Sequence, residues 1–165
     1  MSIVHLHLLL NHFPVIGAIV GALLLAIALL RRSSELAKLS LGFLAIIGAA
    51  SIAVFLTGEP AQEALEQLPG FSERLVDRHE DAALVATIVT GTIGALALAA
   101  VILYRRRAVP RWVSMLVLVC AVGSSAVMAY TAYLGGQIRH TELRATGGSL
   151  GDGATLAPTP DRDEH

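Results

Sequence analysis

Four long apolar runs, none with a charged residue, constrain the fold of this chain more than any other feature. The hydrocarbon core of a bilayer is about 30 Å thick, and a helix needs about 20 apolar residues to cross it. Hydrophobic residues make up 55% of the chain and charged residues only 15%, unlike a soluble domain. The pattern predicts an all-α integral membrane protein with spans at Phe13 to Leu30, Leu39 to Leu56, Ala82 to Tyr104, and Trp112 to Leu134.

The charged residues between these runs predict how the chain crosses the membrane. The first and third links are short and basic, whereas the second link is rich in Asp and Glu. The basic residues of the two links are Arg31, Arg32, Lys38, Arg105, Arg106, Arg107 and Arg111. Basic loops tend to stay in the cytoplasm, so the acidic loop and both termini are expected outside. We therefore expect a four-helix bundle whose N-terminus and C-terminus both lie on the periplasmic side of a bacterial inner membrane.

The acidic loop carries helix signals of its own. Pro60 can open a short helix that runs through Leu68, because the first turn of a helix tolerates proline. Ser72 is a candidate N-cap for the third long helix, and Phe71 and Val76 hold the two positions of a hydrophobic staple. We therefore expect the third helix to begin about two turns before its membrane part.

The chain divides into a membrane domain and a tail. Residues 1–144 form the predicted membrane domain, and its helices are expected at about 13–30, 39–56, 73–104 and 112–134. Residues 145–165 are rich in Gly, Pro, Thr and Asp, so we expect a disordered periplasmic tail. Small residues at four-residue spacing predict close helix packing, and the pairs are Gly17 with Gly21, Thr87 with Gly91, Thr90 with Gly94, and Ala121 with Ser125.

Charge and cysteine content exclude several functions. The net charge is -1 and no continuous basic patch is present, so nucleic acid is not an expected partner. Cys120 is the only cysteine, which excludes an intramolecular disulfide, a thiolate metal cage and covalent c-type haem attachment. No nucleophile and base arrangement and no phosphate-binding loop is recognisable, so we expect no catalytic activity of the chain's own.

Five histidines are expected near one membrane face, because the topology brings the N-terminal segment, the acidic loop and the end of the fourth run to the same side. They are His5, His7, His12, His79 and His140. On a helical wheel His79 is centred on an apolar stripe and avoids its charged neighbours. An ionisable group in such a position is costly and usually functional, so we favour His79 as a ligand over a buried structural imidazole.

Imidazoles without thiolates or transmembrane carboxylates narrow the choice of cofactor. Haem b with two axial histidines suits a four-helix bundle, with either one or two haems bound. Arg139, near the end of the fourth run, could pair with a haem propionate. Copper or zinc held by the same histidines is the inorganic alternative, and a site without any cofactor is the third.

Helical spacing ranks the histidines as ligands. His5 and His12 are seven residues apart and share one helix face, on which His12 lies deeper. His7 points almost oppositely, and a capping or interfacial role for it is equally open. The first axial pair to consider is therefore His12 with His79, and the second is His140 with either His5 or His7.

Four motifs carry these histidines along the chain. They are His-Leu-His-Leu-Leu-Leu-Asn-His-Phe-Pro at 5–14, Thr-Gly-Glu-Pro-Ala at 57–61, His-Glu at 79–80 and Gly-Gly-Gln-Ile-Arg-His at 135–140. From Ile3 to about Glu142 the chain resembles a bacterial four-helix inner-membrane family of unknown function. Members of that family occur linked to Rieske or c-type cytochrome domains, so the resemblance implies electron transfer with such a domain on a separate polypeptide. The family pattern has a proline after the final histidine, where this chain has Thr141.

These observations lead to one expected function and two alternatives. The first is a small b-type cytochrome or haem-binding subunit that passes electrons between a quinone or periplasmic redox protein and a larger respiratory-chain complex. The second is a cofactor-free structural or assembly subunit of a respiratory or photosynthetic complex. The third is a copper-binding or zinc-binding protein with its site at the periplasmic face.

Overall fold

The computed structural model describes residues 3–64 and 72–139, and all regular secondary structure in these ranges is helical. The helices are α1 (Ile3–Leu10), α2 (His12–Leu30), α3 (Ser34–Phe55), α4 (Gly58–Glu63), α5 (Glu73–Leu103) and α6 (Arg111–Arg139). Four segments are long and apolar enough to cross a membrane, and the first joins α1 to α2. They confirm the expected all-α, multi-pass fold. Phe71, His140 and the tail of residues 145–165 lie outside the described residues.

Serines precede the second and third long helices. Ser33 has extended backbone angles, and its hydroxyl accepts a hydrogen bond from the Leu36 amide at 3.2 Å. This cap starts α3 at Ser34, before the expected membrane segment, because it satisfies an amide that has no partner within the helix. Ser72 is also extended and precedes α5 at Glu73, as expected, although its hydroxyl makes no capping hydrogen bond.

Two helix ends differ from the sequence expectation. The short outer helix was expected from Pro60, but α4 already begins at Gly58, so the proline lies in its first turn, where a missing amide is tolerated. Residues 65–68 of that expected helix lie outside the described part of the chain. The fourth long helix was expected to end near Leu134, but α6 continues through two glycines to Arg139.

A turn at Asn11 separates α1 from α2. Pro14 explains its place, because proline has no amide hydrogen to donate to the Leu10 carbonyl, and its ring collides with that carbonyl. The Asn11 amide still donates to the His7 carbonyl at 3.0 Å, so the two helices continue in nearly one direction. The N-terminal histidines are therefore held on helical backbone.

The long helices form a ring of four neighbours. α3 packs against α2 and α5, and α6 packs against the same two helices, while α4 contacts α1. The main buried cluster occupies the half of the bundle nearest the basic links, and Leu25, Leu41 and Ala97 in it are fully buried. The opposite half holds the four histidines of the described residues, His5, His7, His12 and His79.

Two glycines bring the backbones of α3 and α5 into close contact. A Cβ atom built on Gly48 would lie 2.8 Å from the Cα atom of Gly94. Between α5 and α6, the hydroxyls of Thr90 and Ser124 form a buried hydrogen bond of 2.6 Å. Small residues and short polar bonds thus hold these helices together, as expected for packing within lipid.

The outer surface of the bundle is apolar. Large side chains that face outward include Leu30, Leu56 and Val119, which are 83%, 70% and 70% exposed. Such a continuous apolar surface is unstable in water and favourable in the hydrocarbon core of a bilayer. The bilayer is therefore the environment that this fold requires.

The two basic links lie at the same end of the bundle. The Val109 amide, in the link after α5, donates a hydrogen bond of 3.0 Å to the Ser34 hydroxyl at the start of α3. Arg32, in the other link, has a positive φ of 52°. Next to it, the Ser33 amide donates to the Ala28 carbonyl at 3.0 Å, which closes a tight helix end. Both links thus place their arginines at one membrane surface.

The expected orientation can be tested with single cysteines in a Cys120→Ala background. Ala108 lies in a basic link, whereas Glu63 lies at the other end of the bundle, and both are exposed. In right-side-out membrane vesicles, a membrane-impermeant thiol reagent should label Glu63→Cys at once and Ala108→Cys only after the membrane is opened. Labelling in the reverse order would contradict an outside position for the termini.

The glycine contact between α3 and α5 predicts a specific loss of stability. Gly48→Ala should lower the free energy of unfolding by about 1–3 kcal/mol, because the new methyl group forces two backbones apart. Gly42→Ala, in the same helix, is the matched control, since its Cβ would meet nothing within 4 Å. Denaturation in detergent should separate the two variants. Equal stabilities would show that the close approach does not support the bundle.

Candidate functional site

A cavity of about 410 Å³ lies at the end of the bundle opposite the basic links. Its wall is formed by α1 and the start of α2, the end of α3, α4, the start of α5 and the end of α6. Most of the lining is apolar, and the members that carry side-chain polar atoms include His7, Asn11, Ser51, Glu59, Gln62, His79, Glu80, Thr87 and Thr131. This mixture of an apolar wall with a few polar groups is typical of small-molecule and cofactor sites, which enclose roughly 300–1,000 Å³.

His7 enters this cavity from α1 and is fixed by the segment between α3 and α4. Its Nδ1 atom lies 2.8 Å from the Thr57 hydroxyl oxygen. The same hydroxyl donates its one hydrogen to the Val54 carbonyl at 2.6 Å. Because that proton is already used, Thr57 can only accept from His7, so Nδ1 carries the ring proton.

His79 enters the same cavity from α5 and is fixed by α6. Its Nδ1 atom lies 3.1 Å from the Thr131 carbonyl oxygen. A carbonyl can only accept, so Nδ1 of this ring also carries the proton. The Thr131 hydroxyl lies 3.2 Å from the Ala82 carbonyl of α5 and 3.0 Å from the Val127 carbonyl of its own helix. Backbone and side chain of Thr131 therefore tie α5 to α6 beside the imidazole.

The rings of His7 and His79 have the same tautomer, with the proton on Nδ1. Each neutral imidazole that donates through Nδ1 keeps a lone pair on Nε2, which is the atom available to a metal or to a hydrogen-bond donor. A histidine ligand normally donates its other ring nitrogen to a carbonyl or hydroxyl in this way, which fixes the ring and increases its basicity. His7 and His79 are also near enough for the charge of one to affect the other.

The absence of a side chain at Gly135 leaves room for the ring of His79 against α6. A Cβ atom built on Gly135 would lie 3.1 Å from Cε1 of the ring and 3.4 Å from Nδ1. Any larger residue would press on the imidazole and disturb its bond to Thr131. Gly136, the next residue, has nothing within 4 Å of its built Cβ. The first glycine of the Gly-Gly-Gln-Ile-Arg-His motif therefore has a steric role at the site.

His12 and His5 are not among the residues that line the cavity. His12 is exposed, and its Nδ1 atom lies 2.7 Å from the Leu8 carbonyl within its own helical turn. His5 is also exposed. The structure thus brings His7, rather than His12, together with His79. His140 lies outside the described residues, and for Arg139, the last residue of α6, the pairing with a propionate stays a prediction.

The face of α2 that packs in the bundle explains why His7 replaces His12. Pro14 and Gly17, which share a helix side with His7, are buried against the bundle. Leu9 and Ile16, near the face of His5 and His12, are 54% and 56% exposed. In lipid, small residues mark the packing side of a helix and large apolar residues the outer side. The small residues beside His7 were the sequence signal for this side, and the contacts between helices decided that it faces inward.

Thr57 is a residue of the site that sequence reasoning missed. It lies in the Thr-Gly-Glu-Pro-Ala motif and is the hydrogen-bond partner of His7, fifty residues away in the chain. Thr131, the partner of His79, acts through its backbone carbonyl, which no residue type can reveal. Among residues 3–64 and 72–139, no group of three or more His, Cys, Asp or Glu side chains is arranged to hold a metal ion.

Comparisons with protein-family models, with characterised proteins and with solved structures find no significant match to this chain. The geometry of the cavity and its two imidazoles is therefore the basis for assigning a function.

The hydrogen bonds predict the ring tautomers of both cavity histidines. In protein prepared without added cofactor, nitrogen NMR of the neutral rings should show protonated Nδ1 and unprotonated Nε2 for His7 and for His79. Thr57→Val removes the partner of His7 alone, so it should change the ring signals of His7 and leave those of His79 in place. A dominant Nε2-protonated form in either ring would contradict the assigned bonds.

Proposed function

We propose that this chain is a membrane-embedded haem b-binding electron-transfer protein or subunit, with its histidine site near the periplasmic face. One observation carries the proposal. Imidazoles from α1 and α5 line the same largely apolar cavity, and each uses Nδ1 as a hydrogen-bond donor and keeps Nε2 as a potential ligand atom.

The residues of the cavity fit a haem in their number and chemistry. A haem b with two axial histidines is held by imidazoles on both sides of an apolar slot between helices, and a four-helix bundle can provide both. His7 and His79 would hold the iron, in place of the pair His12 and His79 expected from spacing. The bound iron would supply reversible one-electron chemistry. A copper or zinc site is less well supported, because the described residues offer no group of three ligands.

The surrounding residues have definable tasks in such a site. Thr57 and the Thr131 carbonyl would hold the rings in orientation and keep Nε2 free for the iron. Apolar members of the wall, such as Val54, Ala83 and Met128, would exclude water from the macrocycle. Burial of this kind is one of the means by which a protein sets a haem potential.

The position of the cavity also suggests the partners. It lies at one end of the bundle and not at its centre, so an electron carrier at that membrane surface could approach it. A quinone in the bilayer, or a periplasmic Rieske or c-type cytochrome protein, is a partner of this kind. We propose that the chain acts within a larger respiratory complex or oligomer of the bacterial inner membrane. A second haem that uses His140 with His5 remains a prediction.

The decisive experiment is a reduced-minus-oxidised optical spectrum of the purified protein in detergent. Sharp haem b bands should be present in the parent chain and lost in His7→Ala and His79→Ala, because each variant removes one axial ligand. His12→Ala and His5→Ala are the matched controls and should keep the bands if one haem binds in the cavity. If protein produced with an excess of haem shows no such bands, the proposal is excluded. If the bands are lost only in His12→Ala, the ligand pair His7 and His79 is excluded.

Variants next to the ligands test the site without removing an imidazole. Thr57→Val should weaken haem binding by about 10-fold to 100-fold, as is typical when the hydrogen-bond partner of a metal ligand is removed. Gly135→Ala should also weaken binding because it presses on His79, whereas Gly136→Ala should leave binding unchanged. Equal haem affinity in the two glycine variants would show that the His79 ring is not a ligand in the observed position.

A further inference from the structure

A second cavity lies between α5 and α6, in the other half of the bundle, and takes no part in the proposed haem site. It encloses about 280 Å³. We call it the apolar groove, and its lining includes Leu96, Leu103, Tyr104, Trp112, Leu116 and Cys120. Leu103 and Trp112 are 60% and 66% exposed, so the groove is part of the surface that faces lipid.

The length of the apolar groove matches one leaflet of a bilayer. Along α5 its lining extends from Ile93 to Tyr104, which corresponds to roughly 16 Å at 1.5 Å per residue. Half of a hydrocarbon core is about 15 Å thick. Tyr104 and Trp112 lie at the end of the groove nearest the basic links. Amphipathic rings of this kind prefer the level of the lipid headgroups. The groove thus extends from the headgroup region towards the middle of the membrane.

Positive charge surrounds the end of the groove nearest the basic links, where the Arg107 guanidinium lies over the Tyr104 ring, 5.7 Å from its centroid. In the part of the chain that the structure describes, neither Arg105 nor Arg111 forms an ion pair. Arg105 directly follows Tyr104, Arg111 directly precedes Trp112, and both arginines are exposed. The sequence contains no Asp or Glu between Ala82 and Thr141, so the part of α5 and α6 that forms the groove supplies no counter-charge. At the neighbouring link, the Glu35 carboxylate is already paired with Lys38 at 3.1 Å.

We propose that the apolar groove binds a phospholipid with an anionic headgroup, taken from the leaflet on the side of the basic links. One acyl chain lies along α5 and α6, and the phosphate pairs with Arg105 and Arg111. Basic pockets between transmembrane helices bind acidic lipid headgroups by this combination of charge and apolar surface. The inference is independent of the haem proposal, since the two sites lie at opposite ends of the bundle.

The fluorescence of Trp112 can report on lipid in the groove, because Trp112 is the only tryptophan of the chain and lines the groove. The full chain is reconstituted in phosphatidylcholine vesicles that contain a minor fraction of either brominated phosphatidylglycerol or brominated phosphatidylcholine. Bromine on the acyl chain quenches tryptophan on contact. The ratio to unbrominated vesicles cancels any constant quenching by a bound cofactor. We expect about fivefold preference for the anionic lipid at low salt, which decreases as salt is added.

Two test variants and one control variant separate lipid binding in the groove from general attraction to the membrane surface. The double variant Arg105→Gln, Arg111→Gln should lose the preference, whereas Arg31→Gln, Arg32→Gln, with the same change in charge at the other link, should keep it. Ala99 is exposed and lines the groove, so Ala99→Phe should abolish the preference by filling the groove while all arginines remain. Circular dichroism and a single elution peak establish that each variant is folded.

Three results would overturn the proposal. Equal quenching by the two brominated lipids at low salt would show that no anionic lipid is selected. Absence of quenching by either lipid would show that another protein surface, such as a second copy of the chain, covers Trp112. A preference that survives in Ala99→Phe would show that the arginines attract lipid without use of the groove.

Discussion

The helices of this protein must associate without the hydrophobic effect, because lipid tails are as apolar as the side chains that face them. Close packing and short polar bonds are then the available attractions between helices. The contact of Gly48 with Gly94 provides close packing between α3 and α5, and the hydrogen bond between Thr90 and Ser124 links α5 to α6. The remaining architecture depends on these contacts, since they fix which faces of the helices meet.

The same constraint accounts for the difference between the two halves of the bundle. The half nearest the basic links is filled by small and aliphatic residues and contains the main buried cluster. The other half contains a cavity with two imidazoles, each hydrogen-bonded to a neighbouring helix or turn. Placing an ionisable group against a largely apolar wall is costly, which favours a function for these imidazoles over a packing role.

In the expected topology, the two halves of the bundle lie at opposite surfaces of the membrane. The proposed haem site would be reached from the periplasmic surface, whereas the proposed lipid groove would open towards the cytoplasmic leaflet. A lipid bound between α5 and α6 at one end would support the hairpin that carries His79 and its partner Thr131 at the other. Both proposals thus concern the same helix pair, although the experiments on them are separate.

Sequence alone determined the four spans, the basic links and the end of the bundle that holds His5, His7, His12 and His79, because length, hydropathy and charge act locally and need no knowledge of neighbours. Tertiary structure decided which histidines meet. Spacing favoured His12, yet the buried side of α2 is the side of Pro14 and Gly17, so His7 faces the cavity. The partners Thr57 and Thr131 are distant in the chain, and only helix packing brings them to the rings. A helical wheel gives relative directions, whereas the contacts between helices decide which direction is inward.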